Sequence, residues 1–372
     1  MPPVKLYFPP DDINHILDDV KKILQSGMLT LGTYTKDFET EYAKVCGVQH
    51  AVAVNSGTSA LEIALRARGL KDGDEVLVPT NTFSATAAAV IFAGGRPVLT
   101  DVDPGSLCMN AENAQRYVTP KTKGVIAVHI GGLICPEIKE IRKMCRDSHL
   151  FLIEDAAHAH GSKLESQSAG SFGDAGCFSF YPTKVMTTGE GGMITTNSEE
   201  LATKAKILRD QGKENFQSNM IVELGYNWRM NEISAAIGLT QLKRLPEMIE
   251  KRNKIAKYYD QELSKLNGIK PLARPQNILH NYYKYVALLD QEIDRENFKG
   301  KLRMHGVRCG GEVYWPPVHL QPIYQKLLRT RKGDFPKAED VCSRMVALPM
   351  YSQMTLEEAE YVIKIIKEIS GD

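Results

Sequence analysis

The chain has 372 residues, 43% of them apolar and 24% charged, ordinary for a soluble enzyme larger than one typical domain. A formal net charge of +1 provides no field to draw in nucleic acid or an anionic membrane surface. The start, "MPPVKLYFPPDD", lacks the regions of a secretory signal, and no apolar run is long enough to span a bilayer. Seven cysteines, odd in number and without C-x-x-C spacing, point to reduced thiols in the cytoplasm and not to disulfides or structural zinc.

Short apolar runs alternate with helical patterns along the first part of the chain. "HAVAVNSG" (50–57) reads as a strand ending on glycine, and "TSALEIALRARG" (58–69) has helical spacing. "DEVLVPT" (74–80) is a second strand, followed by the small-residue helix "SATAAAVIFAGG" (84–95). "RPVLTDVD" (96–103), "GVIAVHIGG" (124–132) and "LFLIEDAAHAHGS" (150–162) repeat the strand theme, with helix "PEIKEIRKMCRDS" between the last two. Near-continuous apolar strands between helices predict a mostly parallel α/β sheet with both faces covered, and a ligand at the strands' carboxyl ends. From 229 to 263 the pattern becomes one or two long helices, and past Pro271 it becomes strand-helix pieces. The expected division is a large domain over 1–250 and a smaller α+β domain over 251–372.

The carboxyl ends of those strands carry the candidate chemistry. Gly57, Thr58 and Ser59 sit where a strand stops and a helix begins, which suits a phosphate seat or a plain helix cap. Neither the dinucleotide nor the triphosphate glycine fingerprint is present there. The run "LFLIED" ends on Glu154 and Asp155, and strand alternation lets only one of these acids face that space. Asp155 with His158 and His160 could instead hold a metal, although no third cluster of ligands accompanies them. Lys184 follows the last core strand in "SFYPTKVMTTGEGG", where a surface lysine would be the ordinary reading.

Pyridoxal 5′-phosphate explains all three features together. It needs a lysine for its aldehyde, a carboxylate facing the pyridine nitrogen and a phosphate cup. A unit charge pair at about 4 Å is worth ~4 kcal/mol at an effective dielectric of 20, or roughly three pKa units. That is enough to hold the ring nitrogen protonated near neutral pH.

The residues then carry a resemblance along most of the chain. The blocks are "GTSALEIALRA", "GDEVLVPTNTFSATAAAV", "VTPKTKGVIAVH", "IEDAAHAHGS", "GDAGCFSFYPTKVMTTGEGGMITTN", "GYNWRMNEISAAIGLTQLKRL", "YWPPVHLQPIY" and "ALPMYSQMT". In this order they resemble the DegT/DnrJ/StrS family of sugar aminotransferases, a branch of the fold type I pyridoxal-phosphate enzymes. The resemblance implies that Lys184 binds the cofactor and shuttles protons, and that Asp155 pairs with the pyridine nitrogen. Gly57, Thr58 and Ser179 would hold the phosphate, Phe83 would stack on the ring, and Asn227 would reach the cofactor phosphate of a second subunit in a homodimer. Arg229, Tyr314 and His319 are the implied substrate contacts. Position 158 is commonly glutamine in the family, touching the cofactor's phenolic oxygen; His158 could make the same bond, with a charge sensitive to pH.

Some relatives replace the lysine by histidine and dehydrate; a chain that keeps Lys184 is expected to transaminate. The implied reaction moves an amino group from L-glutamate or glutamine to a nucleotide-linked keto sugar. "TTGEGGMITTN" and "GYNWRM" look most like members acting on 4-keto-6-deoxy sugars, such as perosamine synthases. A 3-keto sugar or keto-cyclitol is the alternative acceptor. A regulator that had kept the cofactor fold would have no use for the proton shuttle of Lys184.

Overall fold

A computed structural model describes residues 1–309 and 314–370. Its centre is a seven-stranded sheet built from β1 (His50–Val54), β2 (Glu75–Pro79), β3 (Arg96–Thr100), β4 (Thr122–Val128) and β5 (Phe151–Asp155). A small hairpin of β6 (Lys163–Leu164) and β7 (Gln167–Ser168) follows, before β8 (Ala175–Ser179) and β9 (Gly192–Thr196) complete the main sheet. The strand order is β1-β9-β8-β5-β4-β2-β3. Only β9 runs against the others, pairing antiparallel with β1 and β8, so the sheet is mixed and mostly parallel. Every residue of β2, β5 and β9 is buried, as their near-continuous apolar or small side chains require.

Helices α1 (Pro10–Ser26), α2 (Thr33–Cys46), α3 (Gly57–Ala67) and α4 (Ser84–Phe92) begin the covering layers. The start of α3 is fixed by a capping box: the Ser56 hydroxyl accepts the Ser59 N–H at 3.1 Å, and the Ser59 hydroxyl accepts the Ser56 N–H at 3.2 Å. A single helix, Glu232–Leu263, follows the loop that holds Asn227 and packs against α1 and α2. Ala235, Ala236, Gly238 and Leu242 are buried along it, so its apolar surface is largely used within its own chain.

This helix runs through position 250, where the sequence suggested a division, and joins two hydrophobic cores. The larger core is formed around the main sheet. The second gathers Tyr259 and Leu263 with Phe298, Leu302, Val362 and Ile366 around the antiparallel β10 (Ile269–Pro271), β12 (Tyr285–Leu289) and β13 (Met345–Leu348), while β11 (Ile278–Leu279) pairs with β6. Val318, Tyr324, Phe335 and Val341 return from the C-terminal third to the larger core. No helix among the described residues is long and apolar enough to cross a membrane, and Cys46, Cys108, Cys135, Cys145, Cys177 and Cys342 are buried free thiols.

Candidate active site

The carboxyl ends of β1, β2, β5 and β8 open on one cavity of about 510 Å³. Gly57 and Thr58 reach it from α3, Phe83 from the β2–α4 junction, and Asp155 and His158 from the end of β5. Ser179 and Lys184 reach it from the end of β8, and Tyr314 comes from the C-terminal third. The topology thus places at one point what the sequence scatters over more than 250 positions.

Asp155 is the last residue of β5 and is buried. Its Oδ2 accepts the Thr86 hydroxyl at 2.7 Å, and its Oδ1 accepts the Ala157 N–H at 3.2 Å. Burial pushes its pKa up, against the pull of those two bonds and of the Lys184 cation. Lys184, half-buried, has its Nζ 4.8 Å from the centre of the Tyr283 ring. Burial lowers its pKa from the ordinary 10.5 to about 8; Asp155 opposes the shift, and the neighbouring Lys284 adds to it.

The seat at α3 depends on Gly57. A Cβ there would stand 2.7 Å from the Ser179 Cβ and 3.3 Å from the Phe178 carbonyl oxygen. Glycine therefore lets the helix start close against the end of β8, which joins the first-turn N–H groups to the Thr58 and Ser179 hydroxyls. That donor set fits a phosphate. Phe83 leaves 57% of its surface exposed on the cavity wall, a free aromatic face, with the Tyr314 ring 5.5 Å away. An amine, a carboxylate, an anion cup and an aromatic face around one cavity fit pyridoxal phosphate.

The turn after Lys184 is held by its threonines. The Thr187 hydroxyl donates to the Phe180 carbonyl at 2.7 Å and accepts the Gly189 N–H at 3.0 Å, while the Thr188 hydroxyl donates to the Glu190 carbonyl. Gly189 sits at φ 82°, a conformation that suits glycine.

The histidines do not form a metal site. His158 accepts the Gly131 N–H on Nδ1 at 3.2 Å and meets the Tyr314 hydroxyl through Nε2 at 2.9 Å. His160 faces the Tyr42 hydroxyl and the Ser179 carbonyl. All four ring nitrogens are engaged by protein groups, and among the described residues no group of three His, Cys, Asp or Glu could hold a metal ion. Burial, helped by Lys184 and Lys284, drives the His158 pKa well below its ordinary value. The pH-sensitive charge considered for His158 from the sequence is therefore absent near neutrality.

Three expected residues are not brought to this cavity within the chain. His319 is fully buried, with Nδ1 on the Thr80 hydroxyl at 2.7 Å and Nε2 on Glu339 at 3.0 Å, so no nitrogen is left for a substrate. This corrects the expectation of a substrate contact: the ring ties the end of β2 to the C-terminal segment. Arg229 pairs with Asp210, and Asn227 is exposed on the loop before the long helix. Thr86, whose hydroxyl bonds Asp155, and Tyr283, which lines the cavity, both escaped the sequence reading. Thr86 lay one helical turn past Phe83, a spacing that could have suggested it. Tyr283, 99 positions after Lys184, left no local signal.

Comparison with known proteins accords with this geometry. The DegT/DnrJ/EryC1/StrS aminotransferase family matches residues 10–367. A GDP-perosamine synthase from Caulobacter vibrioides is 35% identical over 343 residues, covering 91% of each chain. A UDP-N-acetyl-3-dehydro-alpha-D-glucosamine 3-aminotransferase from Acidithiobacillus ferrooxidans is 35% identical over 356 residues, covering 95% of this chain and 93% of the relative. NtdA from Bacillus subtilis, solved with its cofactor PMP bound, superposes with a TM-score of 0.89 at 30% identity, covering 98% of this chain and 83% of that one. The chain belongs to the DegT/DnrJ/EryC1/StrS aminotransferase family and is a sugar aminotransferase dependent on pyridoxal 5′-phosphate.

Proposed function

We propose that the enzyme transfers an amino group from L-glutamate to a nucleotide-linked 4-keto-6-deoxy sugar, within amino-sugar biosynthesis for a polysaccharide or an antibiotic-type product. The carrying observation is that Lys184 and Asp155 share one cavity with an anion cup. Bound pyridoxal phosphate supplies an electron-accepting ring and a carrier for the amino group. Asp155, buried and hydrogen-bonded by Thr86, would hold a proton on the pyridine nitrogen of the bound cofactor. Lys184, lowered to about 8, is neutral often enough near pH 7 to take and return the proton at the substrate carbon. The start of α3 with Ser179 would hold the phosphate, and Phe83 would lie against a ring face.

The likeness of "TTGEGGMITTN" and "GYNWRM" to perosamine synthases, and the GDP-perosamine synthase relative, favour the 4-keto acceptor. The relative named as a 3-aminotransferase, equally identical, supports a 3-keto acceptor as second reading. A panel of 4-keto and 3-keto nucleotide sugars, assayed with glutamate and glutamine, tests both. Turnover of 3-keto sugars alone would overturn the first reading.

The active site is further proposed to be shared between two copies of the chain. Asn227 and Arg229 lie outside their own cavity, and Met220, Ile221, Val222 and Leu224 expose apolar side chains on the same loop.

A further inference from the structure

We propose that Arg252 is a positioning residue for the reacting amine: it locks a left-handed bend at Tyr282 and so keeps the Tyr283 ring against Lys184. The inference rests on the reading of Lys184 as the amine that meets the cofactor aldehyde. Arg252 lies on the long helix between Ile249, in the larger core, and Ile255, in the second, with 2% of its surface exposed. Its Nη1 donates to the carbonyls of Tyr282 at 3.0 Å and Met350 at 3.3 Å, and its Nε to the Ser352 hydroxyl at 3.2 Å. All three are neutral acceptors. An apolar side chain would fill the space without the desolvation cost of a cation, but it could not hold the Tyr282 carbonyl.

That carbonyl belongs to a strained residue. Tyr282 has φ 50°, in the left-handed region that bulky side chains avoid. Six other described non-glycine residues have a positive φ, but of the seven Tyr282 alone is next in sequence to a residue lining the cavity. Such strain persists only where the surroundings over-determine it. Here His280 Nδ1 accepts the Tyr282 N–H at 2.8 Å, the two rings stack 4.2 Å apart, and Arg252 donates to the carbonyl. Asn281 Oδ1 accepts the next N–H, that of Tyr283, at 2.9 Å.

The bend delivers Tyr283 to the cavity. Its ring packs on His158 with centres 4.4 Å apart, and its hydroxyl lies 3.1 Å from the hydroxyl of Thr183, the residue before Lys184. With the Lys184 Nζ 4.8 Å from its centre, the ring backs the amine on one side. If Tyr282 relaxed to a negative φ, the following peptide would turn and the ring would leave that wall. Placement of this kind matters to rate, because a shift of ~1 Å caused by a distant residue can cost about a hundredfold.

A double-mutant cycle on the whole chain tests this, using Arg252→Met, Tyr283→Ala and the double variant. The readouts are the rate at which cofactor-free protein captures pyridoxal phosphate, by absorbance after rapid mixing, and the midpoint of a denaturant melt. Arg252→Met should slow capture about tenfold when Tyr283 is present, as for a sub-ångström misplacement of the amine. In the Tyr283→Ala background the same change should slow capture no further, because the ring it positions is gone. The melt should come earlier in both backgrounds, since the guanidinium serves its three acceptors with or without the ring. Unchanged capture in Arg252→Met overturns the proposal. Equal slowing in both backgrounds does so too, because Arg252 would then support the fold alone. If Arg252→Met fails to fold, Arg252→Lys carries the same cycle, keeping a cation but not the planar fork. Borohydride reduction of the wild-type holoenzyme tests the underlying reading separately: a label on a lysine other than Lys184 removes the amine that the bend serves, before any variant is made.

Discussion

Two buried acid–histidine pairs stand back to back at the end of β5. On one side, Glu154 accepts N–H groups from His129, Gly170, Phe172 and Gly173 at 2.6–2.8 Å, and the other nitrogen of His129 accepts the Cys135 N–H. On the other side, Asp155 accepts two bonds and shares a cavity with Lys184, and His158 meets the Tyr314 hydroxyl through Nε2. A carboxylate offers about four acceptor sites. Glu154 has filled them all and serves as scaffold; Asp155 keeps capacity in reserve and faces open space. Residue type and burial are nearly the same in the two pairs, so unfilled hydrogen-bonding capacity is what separates a site from a support.

The largest effect should come from the lysine on the open side. Lys184→Ala is expected to lose transamination by about a thousandfold or more, the loss of a proton shuttle, while still holding the cofactor through the cup. Borohydride reduction of the wild-type holoenzyme and peptide mapping should put the label on Lys184; a label on another lysine would sink the assignment.

The two acids should then fail in different ways. Asp155→Asn should fold and bind cofactor but lose turnover by about two to three orders of magnitude, since a neutral amide cannot keep the ring nitrogen protonated. Glu154→Gln should lose about 3 kcal/mol of stability, because its N–H donors meet an amide that is itself half donor. Denaturant melts and turnover per folded molecule check both. The contrast breaks if Asp155→Asn keeps near-normal turnover, or if it melts as early as Glu154→Gln.

A mixing experiment carries the comparison across two chains. Lys184→Ala and Asn227→Asp chains, inactive alone, should regain activity after mild unfolding and re-association, because a mixed pair collects both defects in one site. A mixture that forms hetero-pairs yet stays inactive means that Asn227 serves its own chain.

The sequence was most legible where one short run carries the physics. Apolar strands ending on Asp155 or on Ser56–Gly57 announce both the sheet and its active edge, and alternation along β5 correctly allows only one acid to face the cavity. Partners brought in by tertiary structure were not legible. His319 could be taken for a substrate contact because nothing near it shows that Thr80, 239 positions earlier, occupies its Nδ1. Tyr283 and Lys284 approach Lys184 from the far end of the fold, so the surroundings of the reactive amine are invisible from "SFYPTK". The division near 250 is hidden for another reason: the chain crosses between its two cores inside a continuous helix, without a linker to mark it.

Those distant charges yield the smallest and most discriminating expectation. Burial lowers Lys184 from 10.5 to about 8, so in the cofactor-free protein the amine is mostly protonated at pH 7 and mostly neutral above about 8. Only the neutral amine attacks the cofactor aldehyde. Capture of pyridoxal phosphate, followed by absorbance after rapid mixing, should therefore speed up about tenfold per pH unit below that midpoint and level off above it. The Asp155 carboxylate favours the cation and raises this midpoint, whereas Lys284, 5.2 Å from the Tyr283 ring, repels the cation and lowers it. Asp155→Asn should then shift the capture profile to lower pH, and Lys284→Met should shift it to higher pH. Both changes alter one side chain without adding a charge, so a general loss of structure would not move the two midpoints in opposite directions. Midpoints that stay fixed, or move the same way, would show that burial alone sets the amine and that the two charges do not reach it.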